Sequence, residues 1–235
     1  MPFRSLNVES NVVLSDFPEL HKLMLSRGWI HTISNMLMPS QKLVREVYSN
    51  IDKHLLESSH PNKFKVYCRG KWFCCSPSAI AKALKILVVQ NPVFGPDFSP
   101  NLNIVAAELA GCPDFKWPEA KGVLPTTTLS KLYKVIHKVT ISNWLPNSHK
   151  STLGSYMAKF MFAVGTGVSI DLSTLIFERI YNDALVSGTR QFLPFPCLLH
   201  QLAISTSPQF TAQKVPYIWL VVLVIGLLAS VSVRL

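Results

Sequence analysis

The sequence predicts a mainly α-helical fold: a single globular helical domain with one short β-hairpin, followed by a C-terminal transmembrane helix. Three observations support this class. Apolar residues recur at helical spacing through most of the chain, strand-like alternation is confined to the surroundings of one Arg-Gly turn, and residues 215–233 carry no charge. We therefore divide the chain into a polar lead-in (1–16), the helical domain (17–204), a linker (205–214) and the transmembrane helix (215–233).

The first half of the domain is predicted to contain three helices and the hairpin. Phe17–Trp29 can form a short helix, and apolar residues at every fourth position over 43–55 predict an amphipathic helix that Ser40 caps. The segment FKVYCRGKWFCC alternates residue types on both sides of Arg69-Gly70, which predicts a hairpin with its turn there. Ser78–Val89 has the spacing of a third helix.

The second half is predicted to contain a long irregular connection and four helical segments. Asn91–Lys121 carries five prolines and therefore lacks a continuous helical pattern. The four segments are Thr128–Trp144, a stretch over Ser151–Val164 that ends at Gly165 and Gly167, a helix capped by Asp171 that ends at Gly188, and Phe195–Ile204.

The C-terminal segment Val215–Val233 reads VPYIWLVVLVIGLLASVSV and would span about 28 Å as a helix, close to the roughly 30 Å of a hydrocarbon core. Its aromatic residues lie at the start, where they favour the headgroup region. A buried core helix or strand is the alternative, because many of its residues are β-branched. The predicted anchor residues are Tyr217, Trp219, Leu220, Val221, Val222, Leu223, Val224, Ile225, Leu227 and Leu228.

The position of this segment predicts a single-pass membrane protein whose N-terminal domain faces the cytosol. Only Arg234 and Leu235 follow it, so insertion would take place after synthesis. The N-terminus lacks the basic start and apolar core of a secretory signal. The five cysteines form no even framework, and we expect no disulfides in a reducing compartment.

Six local sequence blocks occur in a fixed order along the chain: SRGW, LVREVYSNI, VYCRGKWF, NWLPNSHKSTL, GVSIDLSTLIFERI and LPFPCLLHQL. Together they resemble one protein family, named the putative plant transposon protein domain, which occurs in plant retroelements and their remnants. The resemblance covers roughly Phe17 to Leu202 and implies a retroelement origin, but no catalytic residues. After Leu202 this chain departs from the family pattern.

The charge pattern indicates an anionic partner. Lysine and arginine number 23 against 13 acidic residues, and no acidic residue lies between Glu119 and Asp171. Within this acid-free window, Lys131, Lys134 and Lys138 share one helix face, and Lys150 follows on the chain. These lysines are candidate contacts to nucleic acid or another anion, such as the surface of an anionic membrane. The alternative is a solvated face that keeps the helix soluble.

No pattern in the sequence indicates an enzyme, a metal site or a cofactor. The acidic residues Asp97, Glu108, Asp114 and Glu119 show no spacing typical of metal ligands, and Cys68, Cys74 and Cys75 lack the C-x2-C spacing of a zinc site. Cys197 and His200 have no third group to orient them, His149 fits a structural turn, and phosphate-binding glycine loops are missing.

Two functional hypotheses follow from the sequence. In the first, the domain is a retroelement-derived, non-enzymatic protein that is structural or associated with nucleic acid, and the hydrophobic tail is incidental. In the second, it is a tail-anchored cytosolic adaptor that binds a protein or an anionic lipid surface.

Overall fold

The computed structural model describes residues 5–120, 122–186 and 192–206, and these ranges are mainly helical, as predicted. They contain eight α-helices: α1 (Pro18–Arg27), α2 (Gln41–Ser49), α3 (Pro77–Leu84), α4 (Leu102–Ala110), α5 (Lys131–Val139), α6 (Ser155–Thr166), α7 (Leu172–Leu185) and α8 (Pro196–Thr206). A π-helical turn, Thr140–Trp144, continues α5.

Three two-stranded sheets accompany the helices within these ranges. The predicted hairpin is confirmed: β2 (Lys65–Cys68) and β3 (Lys71–Cys74) pair antiparallel around Arg69-Gly70, both of which adopt positive φ. Two further sheets were not predicted, because each joins segments distant in sequence. They are β1 (Ser5–Leu6) parallel to β6 (Phe192–Leu193), and β4 (Val123–Pro125) antiparallel to β5 (Thr152–Gly154).

The predicted helix caps are present. The Ser40 hydroxyl accepts a hydrogen bond from the Leu43 amide at 3.5 Å, and the Asp171 carboxylate accepts one from the Thr174 amide at 3.2 Å. Each bond satisfies one of the amides that a helix start leaves without a backbone partner. The local sequence therefore sets where α2 and α7 begin.

The prediction of an irregular connection over Asn91–Lys121 was wrong, because this stretch contains α4. The five prolines lie on either side of that helix and not within it. Asn101 caps its start by accepting a hydrogen bond from the Asn103 amide at 2.8 Å, and Gly111 ends it with a φ of 64°. The number of prolines had hidden a proline-free stretch with ordinary start and stop signals.

The helix expected over 43–55 was predicted too long, because α2 ends at Ser49. Two other predicted helix ends differ from the structure. The third helix was expected to reach Val89, but α3 ends at Leu84 because Lys85 adopts a left-handed conformation with a φ of 52°. Of the two glycines expected to stop the helix over 151–164, Gly167, with a φ of 82°, ends α6, whereas the helix continues through Gly165. A left-handed residue at the helix end explains both positions.

The helices surround one apolar core. Helix α5 packs against α1 and α6, α3 against α7 and α8, and the β2–β3 hairpin against α2 and α8. Near the centre, the rings of Trp29 and Trp144 meet edge to face with centroids 5.4 Å apart, and Phe160 lies against Trp144 at 6.2 Å. Such pairs add to the stabilisation that burial provides.

The segment before residue 17 belongs to the same fold. Strand β1 pairs with β6, and Glu9 is 5% exposed. The domain therefore begins earlier in the chain than residue 17.

The predicted transmembrane helix, 215–233, and its anchor residues lie outside the described residues. None of the helices within the described ranges combines the length and apolar character needed to cross a bilayer.

Candidate functional site

Helix α5 presents the predicted lysines to solvent. Its apolar residues Tyr133, Ile136 and Val139 are buried, and the opposite side carries Lys131, Lys134 and Lys138, all exposed. We call these three residues the α5 lysine face. The helical spacing of the sequence predicted this division between a buried and a charged side.

The charges of the α5 lysine face are not neutralised by the described part of the protein. Among the described residues, none of the three ammonium groups forms an ion pair. Lys150, the fourth predicted contact, is also exposed, but it lies on the loop that leads to β5. The structure thus places three of the four predicted lysines on one helix.

The position of α5 is held by a contact between its buried side and two other helices. The Tyr133 hydroxyl donates a hydrogen bond to the Glu108 carboxylate of α4 at 3.0 Å. A Cβ atom added to Gly165 of α6 would stand 1.9 Å from that hydroxyl oxygen, so only glycine fits there. Burial and the nearby Glu108 charge raise the pKa of Tyr133, which stays a hydrogen-bond donor at neutral pH.

Arg27, in the SRGW block, stabilises the C-terminal end of α6. Its guanidinium donates hydrogen bonds to the carbonyls of Val164 at 2.7 Å, Val168 at 3.1 Å and Ala163. It also lies 5.0 Å from the centroid of the Trp29 ring. Burial lowers the pKa of Arg27 to about 10, so the group remains charged at neutral pH. A cation at a helix C-terminus complements the helix dipole.

The NWLP block also acts inside the protein. The Asn143 side chain accepts a hydrogen bond from the Ser10 amide at 3.1 Å and donates to the carbonyls of Ser10 at 2.9 Å and Thr32 at 2.8 Å. The Trp144 indole donates to the Thr32 hydroxyl at 2.8 Å. Both side chains are at most 3% exposed. This block therefore connects the N-terminal segment to the core.

The LPFP block has the same structural role. The Tyr48 hydroxyl donates a hydrogen bond to the Pro194 carbonyl at 2.8 Å. The Glu9 carboxylate accepts hydrogen bonds from the amides of Cys197 at 2.9 Å and Leu198 at 3.0 Å, and so caps α8. Burial raises the pKa of Glu9, and the two amide bonds oppose that shift. In this block, too, the residues that make these contacts stabilise the fold.

Cys197 and His200 lack the properties of a catalytic pair. The Cys197 thiol is buried beside Glu9, and burial together with that carboxylate raises its pKa, whereas an activated thiolate needs a lowered pKa. Burial lowers the pKa of His200. Burial likewise raises the pKa of Cys68 to about 11 and that of Cys75 to about 12, which fits core packing.

The acidic residues considered for metal binding are not brought together. Glu108 accepts the hydrogen bond from Tyr133, and Asp97, Asp114 and Glu119 are exposed in the segments that flank α4. Within the described ranges, no group of three or more His, Cys, Asp or Glu residues is placed to hold a metal ion. His149 donates its backbone amide to the Asn147 side chain at 3.0 Å, which fits the predicted structural turn.

The sequence reasoning missed an exposed aromatic pair on the β2–β3 hairpin. Tyr67 and Trp72 are 43% and 47% exposed, and their ring centroids are 5.2 Å apart. The alternation of Lys65, Val66, Tyr67 and Cys68 contained the signal, because it places Lys65 and Tyr67 on one side of the strand.

Comparison with known proteins identifies a family for this chain. No curated protein and no solved structure matches the chain. A family model described as "Putative plant retrotransposon-related domain" matches residues 25–207, which include all six blocks and every helix from α2 to α8. The chain therefore belongs to this plant retrotransposon-related family.

Proposed function

We propose that this protein is a non-enzymatic domain of retroelement origin that binds the phosphate backbone of nucleic acid through the α5 lysine face. The observation that carries the proposal is the set of three exposed lysines on one side of α5, without an ion-pair partner among the described residues. Binding to phosphates would release counterions, which makes association favourable at low salt.

The geometry of α5 supports contacts to more than one phosphate. Lys131 and Lys138 are separated by seven residues, or about 10 Å along the helix. This distance corresponds to about three base steps of a duplex at 3.4 Å each. The anchoring of Tyr133 between Glu108 and Gly165 holds the helix in place, so the lysines can act on one ligand.

The chemistry of the interior favours binding over catalysis. The pKa values of Cys197 and His200 are both shifted away from those of a nucleophile and its base. Of the four acidic residues in and around α4, Glu108 accepts a hydrogen bond from Tyr133 and the other three are exposed. Two polar side chains of the sequence blocks, Arg27 and Asn143, are occupied by structural hydrogen bonds.

The test uses the full chain and two triple variants with the same loss of charge. In the first, Lys131, Lys134 and Lys138 are changed to glutamine. In the control, Lys22 of α1, Lys42 of α2 and Lys82 of α3 are changed to glutamine, because each is exposed on a different helix. Affinity for duplex DNA and RNA is measured by fluorescence anisotropy at several salt concentrations.

The α5 variant should bind more weakly at low salt, and its salt slope should decrease by about 0.9 for each duplex phosphate contact that is lost. The control variant should keep most of the original slope. Equal effects of the two variants would show that only net charge matters. No binding by the unchanged protein at low salt would overturn the proposal, whereas binding only to anionic vesicles would identify a lipid surface as the partner.

We also propose that residues 215–233 anchor the chain in a membrane with the helical domain in the cytosol. The specific observation is the lack of any charge over 19 residues between Lys214 and Arg234. In a membrane fraction, the full chain should resist extraction by alkaline carbonate, and a chain ending at residue 214 should be released. Release of the full chain would contradict the anchor.

A further inference from the structure

The β2–β3 hairpin turns one face away from the core. On the inward face, Val66, Cys68 and Phe73 are at most 2% exposed. The strand register pairs Lys65 with Cys74 and Tyr67 with Trp72 on the other side. We call the four residues Lys65, Tyr67, Trp72 and Cys74 the hairpin outer face. The two aromatic rings of this face contact each other, and each of the two side chains is about half exposed.

An open cavity of about 830 Å³ adjoins this face. Trp72 and Lys65 line it, together with Lys63 on the preceding turn and Ser76 at the start of α3. A cross-strand aromatic pair explains why Tyr67 and Trp72 touch each other. It does not explain why Trp72 also borders an open cavity large enough for a planar ring.

The charge around the two rings is positive. Lys65, on the hairpin outer face, is exposed, and among the described residues it forms no ion pair. Lys71 is also exposed, but it pairs with Cys68 and so lies on the other side of the strand from Trp72. The nearby acid Glu46 is already engaged, because its carboxylate accepts hydrogen bonds at 2.7 Å from both the backbone amide and the guanidinium of Arg69.

The acid on the opposite wall of the cavity is also engaged. Asp171 accepts hydrogen bonds from the Ser173 hydroxyl at 2.6 Å and from the amide and hydroxyl of Thr174 at 3.2 and 2.6 Å. Its carboxylate is thus held at the start of α7. Lys63 and Lys65 line the same cavity, so it has two ammonium groups against this one carboxylate.

We propose that the hairpin outer face is a binding site for single-stranded nucleic acid. An unpaired base stacks on Trp72 beside Tyr67, and Lys65 contacts an adjacent phosphate. Aromatic rings interleaved with basic residues are the combination by which proteins hold single strands, because every base offers a flat face for stacking. A duplex keeps its bases stacked on one another, so their flat faces are not open to Trp72.

This site is separate from the α5 lysine face. The hairpin packs on α2 and α8, whereas α5 packs on α1 and α6. The two surfaces also differ in chemistry, since the α5 lysine face carries no exposed aromatic residue. The inference therefore does not depend on the proposed function of α5, and the two can be tested in separate variants.

The test compares three ligands on the full chain: an oligothymidine, an abasic strand of the same length and a duplex of the same length. Trp72→Ala removes the stacking surface, and Trp72→Phe retains a smaller one. Tyr156→Ala is the matched control, because Tyr156 of α6 is 55% exposed and does not line the cavity. Thermal unfolding of each variant is recorded in parallel.

Trp72→Ala should weaken oligothymidine binding at least about fivefold and leave abasic and duplex binding unchanged, because only the stacked base is lost. Trp72→Phe should recover most of the affinity, and Tyr156→Ala should change none of the three. In a further variant, Lys65→Gln should lower the salt slope for oligothymidine by about 0.7, the value for one lost contact.

The proposal is overturned if Trp72→Ala leaves oligothymidine binding unchanged. It is also overturned if all three ligands weaken equally, since that would show a general effect on folding or charge. If the α5 triple variant keeps full affinity for duplex nucleic acid while Trp72→Ala loses affinity for oligothymidine, the function proposed for α5 fails and the hairpin site stands.

Discussion

Glu9 carries a buried carboxylate that caps a helix. Its carboxylate is 5% exposed, yet it accepts two amide hydrogen bonds from the first turn of α8. Burial disfavours the charged carboxylate, whereas the amides and the positive end of the helix favour it. The effect of burial is the larger of the two, since the pKa of Glu9 lies above its ordinary value of 4.5.

This raised pKa predicts a specific dependence of stability on pH. The folded state binds the Glu9 proton more tightly than the unfolded state, so the contribution of Glu9 is complete below about pH 4.5 and decreases as the pH rises through the folded-state pKa. Glu9→Gln lacks this titration. The free energy of unfolding of the original protein minus that of Glu9→Gln should therefore be larger at pH 4.5 than at pH 7.5.

Urea unfolding of both proteins across this pH range checks the prediction. The comparison is matched, because the buried His137 and the partly buried His200, whose pKa values are lowered, titrate in both proteins and cancel in the difference. A difference that stays constant with pH would show that Glu9 does not titrate differently in the folded state.

At the scale of elements, α5 and α6 are joined by the fit of Tyr133 against Gly165. An alanine usually stabilises a helix by about 1 kcal/mol relative to glycine. Here the added Cβ would stand 1.9 Å from the Tyr133 hydroxyl oxygen and 2.6 Å from its Cζ atom. The ring would have to move and release Glu108. The loss of packing and of a hydrogen bond should exceed the gain in helix propensity.

Gly165→Ala is therefore expected to lower the free energy of unfolding by about 2 kcal/mol, measured by urea unfolding with circular dichroism. Gly154→Ala is the control: it lies at the start of the same helix, its φ is −73°, and no atom lies within 4 Å of the added Cβ. It should change stability by a few tenths of a kcal/mol. Equal effects of the two substitutions would rule out the close contact with Tyr133.

Elements with local signals could be predicted from the sequence, and those formed by distant segments could not. The hairpin turn at Arg69-Gly70 and the caps at Ser40 and Asp171 depend on residues that are neighbours in the sequence. The pairing of β1 with β6 joins short strands of two residues whose residue types show no pattern. The same contrast applies to the candidate site: the lysine spacing on α5 was visible, but the exposure of Trp72 depends on which surface α2 and α8 leave uncovered.

For the whole molecule, the family match begins at a later residue than the folded domain does. The family match begins at residue 25, but Leu20 and Met24 are fully buried and Glu9 caps α8. Asn143 also holds the backbone of Ser10. The N-terminal residues therefore close the core.

A chain that begins at residue 17 should be less stable than one that begins at residue 5, because it loses β1, the Glu9 cap and the Asn143 contacts to Ser10. We expect a decrease of about 3 kcal/mol, from a cap and two or more hydrogen bonds at their usual values. Thermal unfolding of the two chains measures it. Unfolding at the same temperature would mean that the first residues of the fold add no stability.

The capping of α8 by Glu9 also affects how the protein is made. The two partners are 188 residues apart, so Glu9 leaves the ribosome long before Cys197 is translated. At about 5–20 residues per second, this interval lasts roughly 10–40 s. During that time the nascent chain cannot complete its core. The apolar residues that are buried in the folded protein are then still accessible to chaperones.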